Sequence, residues 1–116
     1  FDLLLGNENN EKLLLEIKNV NYAEGSTAYF PDAVTKRGKK HVEELLELKK
    51  DSDYKTALIF IVQRDDINSL KPNYKVDPDF TETLKKAKNA GLKILAYKTS
   101  VSLEKIILDK KINIKI

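Results

Sequence analysis

Residues 56–62, TALIFIV, form an almost unbroken apolar run in the middle of the chain. Its length is typical of a strand rather than a helix, and strands with continuous apolar sequences are those covered on both faces. The run therefore predicts a strand at the centre of a sheet. With 116 residues and 41% apolar content, the chain is long enough for one domain with a modest core.

Two amphipathic helices are predicted, one before and one after this strand. The first spans residues 35–50 with Thr35 as its candidate N-cap. Its inner face is predicted to carry Val42, Leu45, Leu46 and Lys49, with His41 and Leu48 along the edge. The second spans residues 77–91 and has the start and stop signals of a helix. These are Asp77 as N-cap, Pro78 at the first position, a buried stripe of Phe80, Leu84 and Ala87, and Gly91 at the end.

The remaining apolar runs predict further strands. Residues 1–6 and 12–20 flank the turn-rich NENNE and indicate an antiparallel hairpin, and residues 27–30 form a short strand that Pro31 ends. Residues 92–97 follow the second helix as a strand, so strand, helix and strand predict parallel pairing. Residues 101–108 and 112–116 are predicted to be strands or edge hairpins, and 63–76 a polar connection. The predicted fold class is α/β, with a mixed sheet flanked by helices.

Composition excludes several classes of site. The chain has no cysteine, which excludes disulfides, thiolate metal sites and a cysteine nucleophile, and the single His41 excludes a multi-histidine zinc site. Any metal would therefore have oxygen ligands. No apolar run approaches the length of a membrane span and no signal peptide begins the chain, which predicts a cytoplasmic protein without membrane contact. The chain begins at Phe1 and contains no methionine, as expected of a piece of a longer protein.

The strand at 12–20 carries a candidate catalytic pair. Glu16 and Lys18 are two residues apart and share one face of the strand, and Asp2 lies on the partner strand of the hairpin. Two carboxylates and an ammonium near one point are what Mg²⁺- or Mn²⁺-dependent phosphodiester hydrolysis requires, and the Ile17 carbonyl could add an oxygen ligand. The alternative is an ordinary surface ion pair at a strand end.

A basic cluster lies at the start of the first helix. Residues 36–40, KRGKK, carry four positive charges and no acid, although the net charge is only +3. Each cation in the first turn of a helix costs about 0.3–1 kcal/mol, a cost that a bound phosphate backbone would offset. Lys36, Arg37, Lys39 and Lys40 are therefore predicted to bind nucleic acid. The alternative is a solvated basic turn. His41, which follows, is either a catalytic or substrate-contacting residue or a packing residue.

Five stretches in this order resemble the sugar fermentation stimulation protein (SfsA) family over nearly the whole chain. They are FDLLL, LEIKNV, AYFPDAVTKRGKKHVEEL, IFIVQR and PNYKVDPDF. The resemblance implies a two-domain, DNA-binding protein whose N-terminal half is an OB-like barrel and whose C-terminal half has a restriction-endonuclease-like, PD-(D/E)XK core. Residues 1–116 would then be the C-terminal, nuclease-like domain alone, without its OB-like partner.

The resemblance also assigns residues. The first acid of the nuclease motif corresponds to Asp2, the second to Glu16 and the lysine to Lys18, so Asp2 and Glu16 would be the metal ligands. The family's RGxKH segment is matched from Arg37 to His41, and its QR pair by Gln63 and Arg64. Phe1 stands where the motif has proline, and the helix that supplies a further acid in many such nucleases would precede Phe1.

The leading hypothesis is a DNA-binding protein of nuclease fold with a Mg²⁺- or Mn²⁺-dependent centre of Asp2, Glu16 and Lys18. Gln63 and His41 are expected to support that centre, and Arg64 to contact DNA. One alternative is a DNA-binding regulatory protein, linked to sugar metabolism, that does not cleave. Another is an interaction module without nucleic acid. The sequence does not indicate the DNA substrate or the oligomeric state.

Overall fold

The computed structural model describes residues 3–6, 12–50, 54–99 and 108–116, which form one eight-stranded mixed sheet and two helices. The strands are β1 Leu3–Gly6, β2 Lys12–Val20, β3 Tyr22–Glu24, β4 Thr27–Phe30, β5 Tyr54–Val62, β6 Ser69–Pro72, β7 Lys93–Thr99 and β8 Leu108–Ile114. The helices are α1 Lys36–Lys49 and α2 Pro78–Asn89. The strand order in the sheet is β1-β2-β5-β7-β8-β6-β4-β3. The predicted α/β class with a mixed sheet is confirmed.

β5 is the central strand that the apolar run predicts. It pairs parallel with β2 on one side and with β7 on the other. Leu58 and Phe60 are buried in one cluster with residues of α1 and α2, whereas Ile59 and Ile61 on the opposite face are only half-buried. The face of β5 toward the helices is therefore buried from Thr56 to Val62, and the other face is less enclosed than the run predicts.

β1 and β2 form the predicted antiparallel hairpin, with Leu3 opposite Leu15. In the parallel pairing of β2 with β5, Glu16 is level with Leu58 and Lys18 with Phe60. Neighbours in register point to the same face of a sheet. Glu16 and Lys18 therefore face the side on which the helices pack.

α1 begins as its sequence predicts. The Gly38 amide donates to the Thr35 side-chain oxygen across 2.9 Å, which confirms Thr35 as the N-cap. A Cβ on Gly38 would lie 2.8 Å from Thr35 Cγ2 and 3.3 Å from Phe80 Cε1, so the close approach of cap and α2 requires glycine there. Val42 and Leu45 are buried as predicted. The placement of Lys49 on the inner face is wrong, because this residue is exposed and its ammonium lies over Gly91.

The residue that caps α2 also contacts the residue that caps α1. The Asp77 carboxylate accepts from the Phe80 amide across 3.0 Å, as an N-cap does, and from the Thr35 amide across 2.8 Å. Pro78 is the first helical residue, and Gly91 follows the helix with a φ of +96°. Phe80, Leu84 and Ala87 are buried, as predicted. One buried carboxylate thus joins the starts of the two helices.

One prediction about a connection is wrong. Residues 63–76 are not all loop, because they contain β6, and Ile67 and Leu70 there are buried. The strand predicted at 112–116 is present as part of β8, which lies between antiparallel β7 and parallel β6 and is therefore not at an edge. Both strands are stabilised by pairing with distant parts of the chain, which local sequence does not show. The predicted strand at 101–108 lies mostly outside the described residues. None of the described helices is long and apolar enough to cross a membrane.

Candidate functional site

Three side chains meet where α1 crosses β2. Lys18 Nζ lies 3.0 Å from Glu16 Oε1, and His41 Nδ1 lies 2.9 Å from the same oxygen. Lys18 Nζ and His41 Nδ1 are 2.9 Å apart, so the three groups form a closed triangle. β2 supplies the carboxylate and the ammonium from one face, and α1 supplies the imidazole from the helix that packs on this face.

Packing explains why these groups are together. Leu14 and Val20, which share the face of β2 with Glu16, are buried, and Val42, next to His41, belongs to the same core. Glu16 is only 3% exposed. A carboxylate that is buried without partners is strongly destabilising, so the contacts with Lys18 and His41 offset its desolvation. A surface ion pair, the plain alternative, does not describe this site.

The hydrogen-bond geometry assigns the protons of the imidazole. Nδ1 of His41 can donate to Glu16 or accept from Lys18, but it cannot do both. Arg37 Nε donates to His41 Nε2 across 3.5 Å, which requires an unprotonated Nε2. The consistent arrangement has Nδ1–H donating to Glu16 Oε1, which also accepts from the Lys18 ammonium. Glu16 is therefore the common acceptor of the cluster.

The basic turn, residues 36–40, is joined to this cluster by the contact between Arg37 and His41. Lys36, Arg37 and Lys40 are exposed, Lys39 is half-buried, and the first turn of α1 contains no acid. Lys40 Nζ approaches Glu44 only to 4.0 Å. The cations therefore face solvent at a helix N-terminus, next to a buried carboxylate. Arg37 and His41 are four residues apart on a helix, a spacing that could have predicted their contact.

The structure does not bring Gln63 or Arg64 into contact with the cluster. β5 continues from Leu58, level with Glu16, to Val62 before Gln63, a path of about 16 Å. Arg64 instead pairs with Asp66, with Nε 3.0 Å and a terminal nitrogen 2.7 Å from the carboxylate oxygens. This hydrogen-bonded pairing lowers the pKa of Asp66 and raises that of Arg64. Both roles remain predictions.

Metal ligation is limited to few groups in the described residues. Two of their carboxylates are buried, Glu16 and Asp77, and Asp77 is occupied by the two helix starts. No group of three or more Asp, Glu, His or Cys side chains that could hold a metal occurs in the described part of the chain. Glu16 is thus the one buried carboxylate there that is suited to a divalent ion. Asp2, the other predicted ligand, lies outside the described residues.

Comparison with known proteins identifies relatives over almost the whole chain. The family described as sugar fermentation stimulation protein RE domain matches residues 1–105. A sugar fermentation stimulation protein homolog of Shouchella clausii is 41% identical over 112 residues, covering 97% of this chain and 48% of its own length. One of Methanosphaera stadtmanae is 44% identical over 111 residues, covering 94% and 46%. The chain spans about half the length of these relatives.

A solved structure of Pyrococcus furiosus SfsA in complex with Ca²⁺ is also similar. It is 30% identical, matches 97% of this chain and 48% of its own chain, and superposes with a TM-score of 0.86. The agreement extends over the sheet and both helices, which is consistent with the nuclease-like fold.

Proposed function

The chain belongs to the sugar fermentation stimulation protein family, and on this premise we propose that it is the nuclease-like part of a DNA-binding protein with a Mg²⁺- or Mn²⁺-dependent centre for phosphodiester hydrolysis. The observation that carries the proposal is the buried Glu16 carboxylate, with Lys18 at 3.0 Å and His41 at 2.9 Å, next to a basic helix start. Ion pairs on a protein surface are usually exposed to solvent, whereas Glu16 is buried and has a lysine two residues along the same strand.

Asp2 is the proposed second metal ligand. The described antiparallel pairing ends with Leu3 opposite Leu15. The sequence predicts Asp2 across the hairpin from Glu16, and cross-strand side chains are about 5 Å apart at Cβ. Two carboxylates at that spacing, with waters and substrate phosphate oxygens, suit a hard divalent ion. The donor set therefore fits the metal once Asp2 is included.

Each described residue of the cluster has a distinct role in this proposal. A bound divalent ion would lower the pKa of a coordinated water and neutralise phosphate charge. Glu16 would hold the ion, and His41, by donating to Oε1, fixes the orientation of that carboxylate. Lys18 is 14% exposed at its side chain, enough to reach a substrate phosphate while staying close to Glu16. Its ammonium orients the attacking water and stabilises charge on the transferring phosphate.

The basic turn is the proposed phosphate-binding surface. Its cations lie at the N-terminus of α1, where the free amides and the helix dipole also favour anions. Arg37 links this surface to His41, so a phosphate held there lies near the proposed centre. DNA binding of this kind is independent of sequence and weakens with salt.

The similar structure from Pyrococcus furiosus supports the proposal of a metal site. It was solved in complex with Ca²⁺, an ion that takes oxygen ligands as Mg²⁺ does, although at longer distances and with more ligands. We infer that the present chain binds divalent ions through the same kind of ligands. Ca²⁺ is then expected to compete with Mg²⁺ or Mn²⁺ at this site.

The test measures Mn²⁺ binding by calorimetry in the protein at the full length its gene encodes. Wild type is expected to bind, and Glu16→Gln, which keeps the shape but removes the charge, is expected to lose binding. Glu82→Gln on α2 is the matched control, because Glu82 is exposed and lies 3.8 Å from Lys85, away from the cluster. Equal Mn²⁺ affinity in wild type and Glu16→Gln would refute the metal site.

One observation favours a second function, DNA binding without cleavage. In the described residues the Lys18 ammonium already balances the charge of Glu16, and His41 donates a hydrogen bond to it, so the cluster is satisfied without an ion. Under that alternative the protein binds DNA through the basic turn, and Mn²⁺ changes neither its stability nor the integrity of the DNA. The calorimetry above and the cleavage assay in the Discussion separate the two.

A further inference from the structure

A groove of 540 Å³ lies between the β3–β4 hairpin and the loop that leads from β6 to α2. It has no part in the centre proposed above. Three tyrosine rings and two lysines are among its lining residues: Tyr22, Tyr29, Tyr74, Lys71 and Lys75. Its size is that of a typical small-molecule site.

The rings present an unusual amount of aromatic surface to solvent. Tyr22 is 41% and Tyr74 58% exposed, and both are among the large apolar residues that stand out as exposed in the described chain. The centroids of Tyr22 and Tyr29 are 6.1 Å apart with the rings tilted by 52°. Hydrogen bonding to Glu24 raises the pKa of Tyr22. Exposed aromatic surface of this kind marks binding sites.

The charges around the rings fit a nucleotide. Lys71 and Lys75 are exposed, and neither forms an ion pair with the described acids, so both are available to a phosphate. Glu24 and Asp32 also line the groove, and carboxylates accept hydrogen bonds from the amino groups of bases. Aromatic rings stack on any base. A purely apolar partner would leave the two lysines and two acids without function.

The groove is close to the proposed hydrolytic centre. Tyr22 follows Lys18 by four residues, so their Cα atoms are separated by at most about 14 Å. Asp32 lies just before Thr35, the residue that caps the helix with the basic turn. A DNA strand that contacts the basic turn can therefore continue into the groove.

We propose that this groove binds unpaired nucleotides of a DNA strand, with their bases stacked on Tyr22 and Tyr74 and their phosphates on Lys71 and Lys75. The proposal rests on the DNA binding proposed above and adds a substrate class, namely DNA with single-stranded or unpaired segments. A blunt duplex, in which every base is paired, leaves the groove empty.

The experiment compares three probes by fluorescence anisotropy and calorimetry, using the full-length protein. The probes are a short oligothymidylate, a blunt duplex and thymidine monophosphate. Tyr74→Ala is expected to weaken oligothymidylate binding by about tenfold or more and to leave duplex affinity within about twofold. Lys75→Ala is expected to act in the same direction without removing a ring.

Matched controls are Tyr54→Ala and Lys88→Ala. Tyr54 is the first residue of β5 and does not line the groove; the Lys12 ammonium lies 5.5 Å from its ring centroid. Lys88 is exposed on α2. Neither is expected to change oligothymidylate affinity. Thermal unfolding of every variant separates a lost contact from a lost fold.

The outcomes distinguish this inference from the proposed function. If wild type binds duplex but Tyr74→Ala and Lys75→Ala leave oligothymidylate affinity unchanged, the groove inference fails and the DNA-binding proposal stands. If thymidine monophosphate binds as tightly as oligothymidylate, the site is for free nucleotides and the inference is wrong. If wild type binds none of the DNA probes, both proposals fail.

Discussion

His41 Nδ1 of α1 lies 2.9 Å from Glu16 Oε1 of β2, a contact between residues that are 25 positions apart in sequence. It fixes the helix that carries the basic turn above the buried carboxylate. We expect His41→Ala to lower the free energy of unfolding by about 1–3 kcal/mol, because the variant leaves a buried acceptor with one partner fewer. Urea unfolding measures the loss, and His41→Gln, which retains a donor, should recover part of it.

Lys40→Ala is the matched control for His41→Ala. Lys40 precedes His41 on the same helix, and its ammonium is exposed and 4.0 Å from Glu44. Its replacement should change stability by no more than about 0.5 kcal/mol. An equal effect of the two substitutions would show that the Glu16–His41 contact contributes nothing specific.

The variant Lys18→Ala should bind metal but fail to cleave DNA. Lys18→Ala keeps the Glu16 carboxylate and removes the ammonium 3.0 Å from it, so calorimetry should still detect Mn²⁺ or Mg²⁺. Any nuclease activity should be lost. Glu16→Ala and Asp2→Ala should lose both metal and activity. If Lys18→Ala cleaves DNA as fast as wild type, the role assigned to Lys18 is wrong.

The basic turn should affect stability and DNA binding in opposite directions. Replacing Lys36, Arg37, Lys39 and Lys40 by alanine removes cations from a helix N-terminus, which should leave the fold as stable or more stable. Affinity for duplexes of different sequence should fall to a similar extent. The slope of log affinity against log salt should flatten by about 0.9 for each lost phosphate contact.

Lys86 and Lys88 provide the control for that variant. They lie in the last turn of α2, where the helix dipole favours cations. Their replacement by alanine should slightly reduce stability and leave DNA affinity and its salt slope unchanged. Equal salt slopes for the wild type and the basic-turn variant would place the DNA surface elsewhere.

The ion pair with Asp66 should make the Arg64 guanidinium less available to DNA. Because the hydrogen bond from Arg64 lowers the pKa of Asp66, the carboxyl stays ionised and paired at neutral pH, and the pair is lost only as pH falls below the ordinary range of an aspartate. If Arg64 contacts DNA as the sequence predicts, Asp66→Asn should raise DNA affinity at neutral pH and Arg64→Ala should lower it. Titration with labelled duplex measures both. Unchanged affinity in both variants would remove Arg64 from the DNA surface.

Local signals predicted the regular elements well. The apolar run of β5 and the caps at Thr35 and Asp77 depend on neighbouring residues, so the sequence contains what determines them. β6 was missed because its stability comes from pairing with the distant strands β4 and β8. The burial of Ile67 and Leu70 in a polar segment has the same cause.

The candidate site was predictable only in part. Strand periodicity places Glu16 and Lys18 on one face, but no spacing rule shows that α1 covers that face with His41 above it. The helix pattern already made His41 a candidate beside the inner face of α1, the resemblance matched it to a family segment, and the structure shows its partner. The tyrosine groove was missed because Tyr22 and Tyr74 belong to separate segments that only the fold brings together.

Hydrolysis at Glu16 is measured by a cleavage assay on single- and double-stranded DNA with Mg²⁺ or Mn²⁺, comparing full-length wild type with Glu16→Ala. We expect metal-dependent products with wild type, none with Glu16→Ala, and none with wild type when the metal is chelated. If wild type cleaves no DNA that Glu16→Ala does not also cleave, the hydrolytic centre is contradicted.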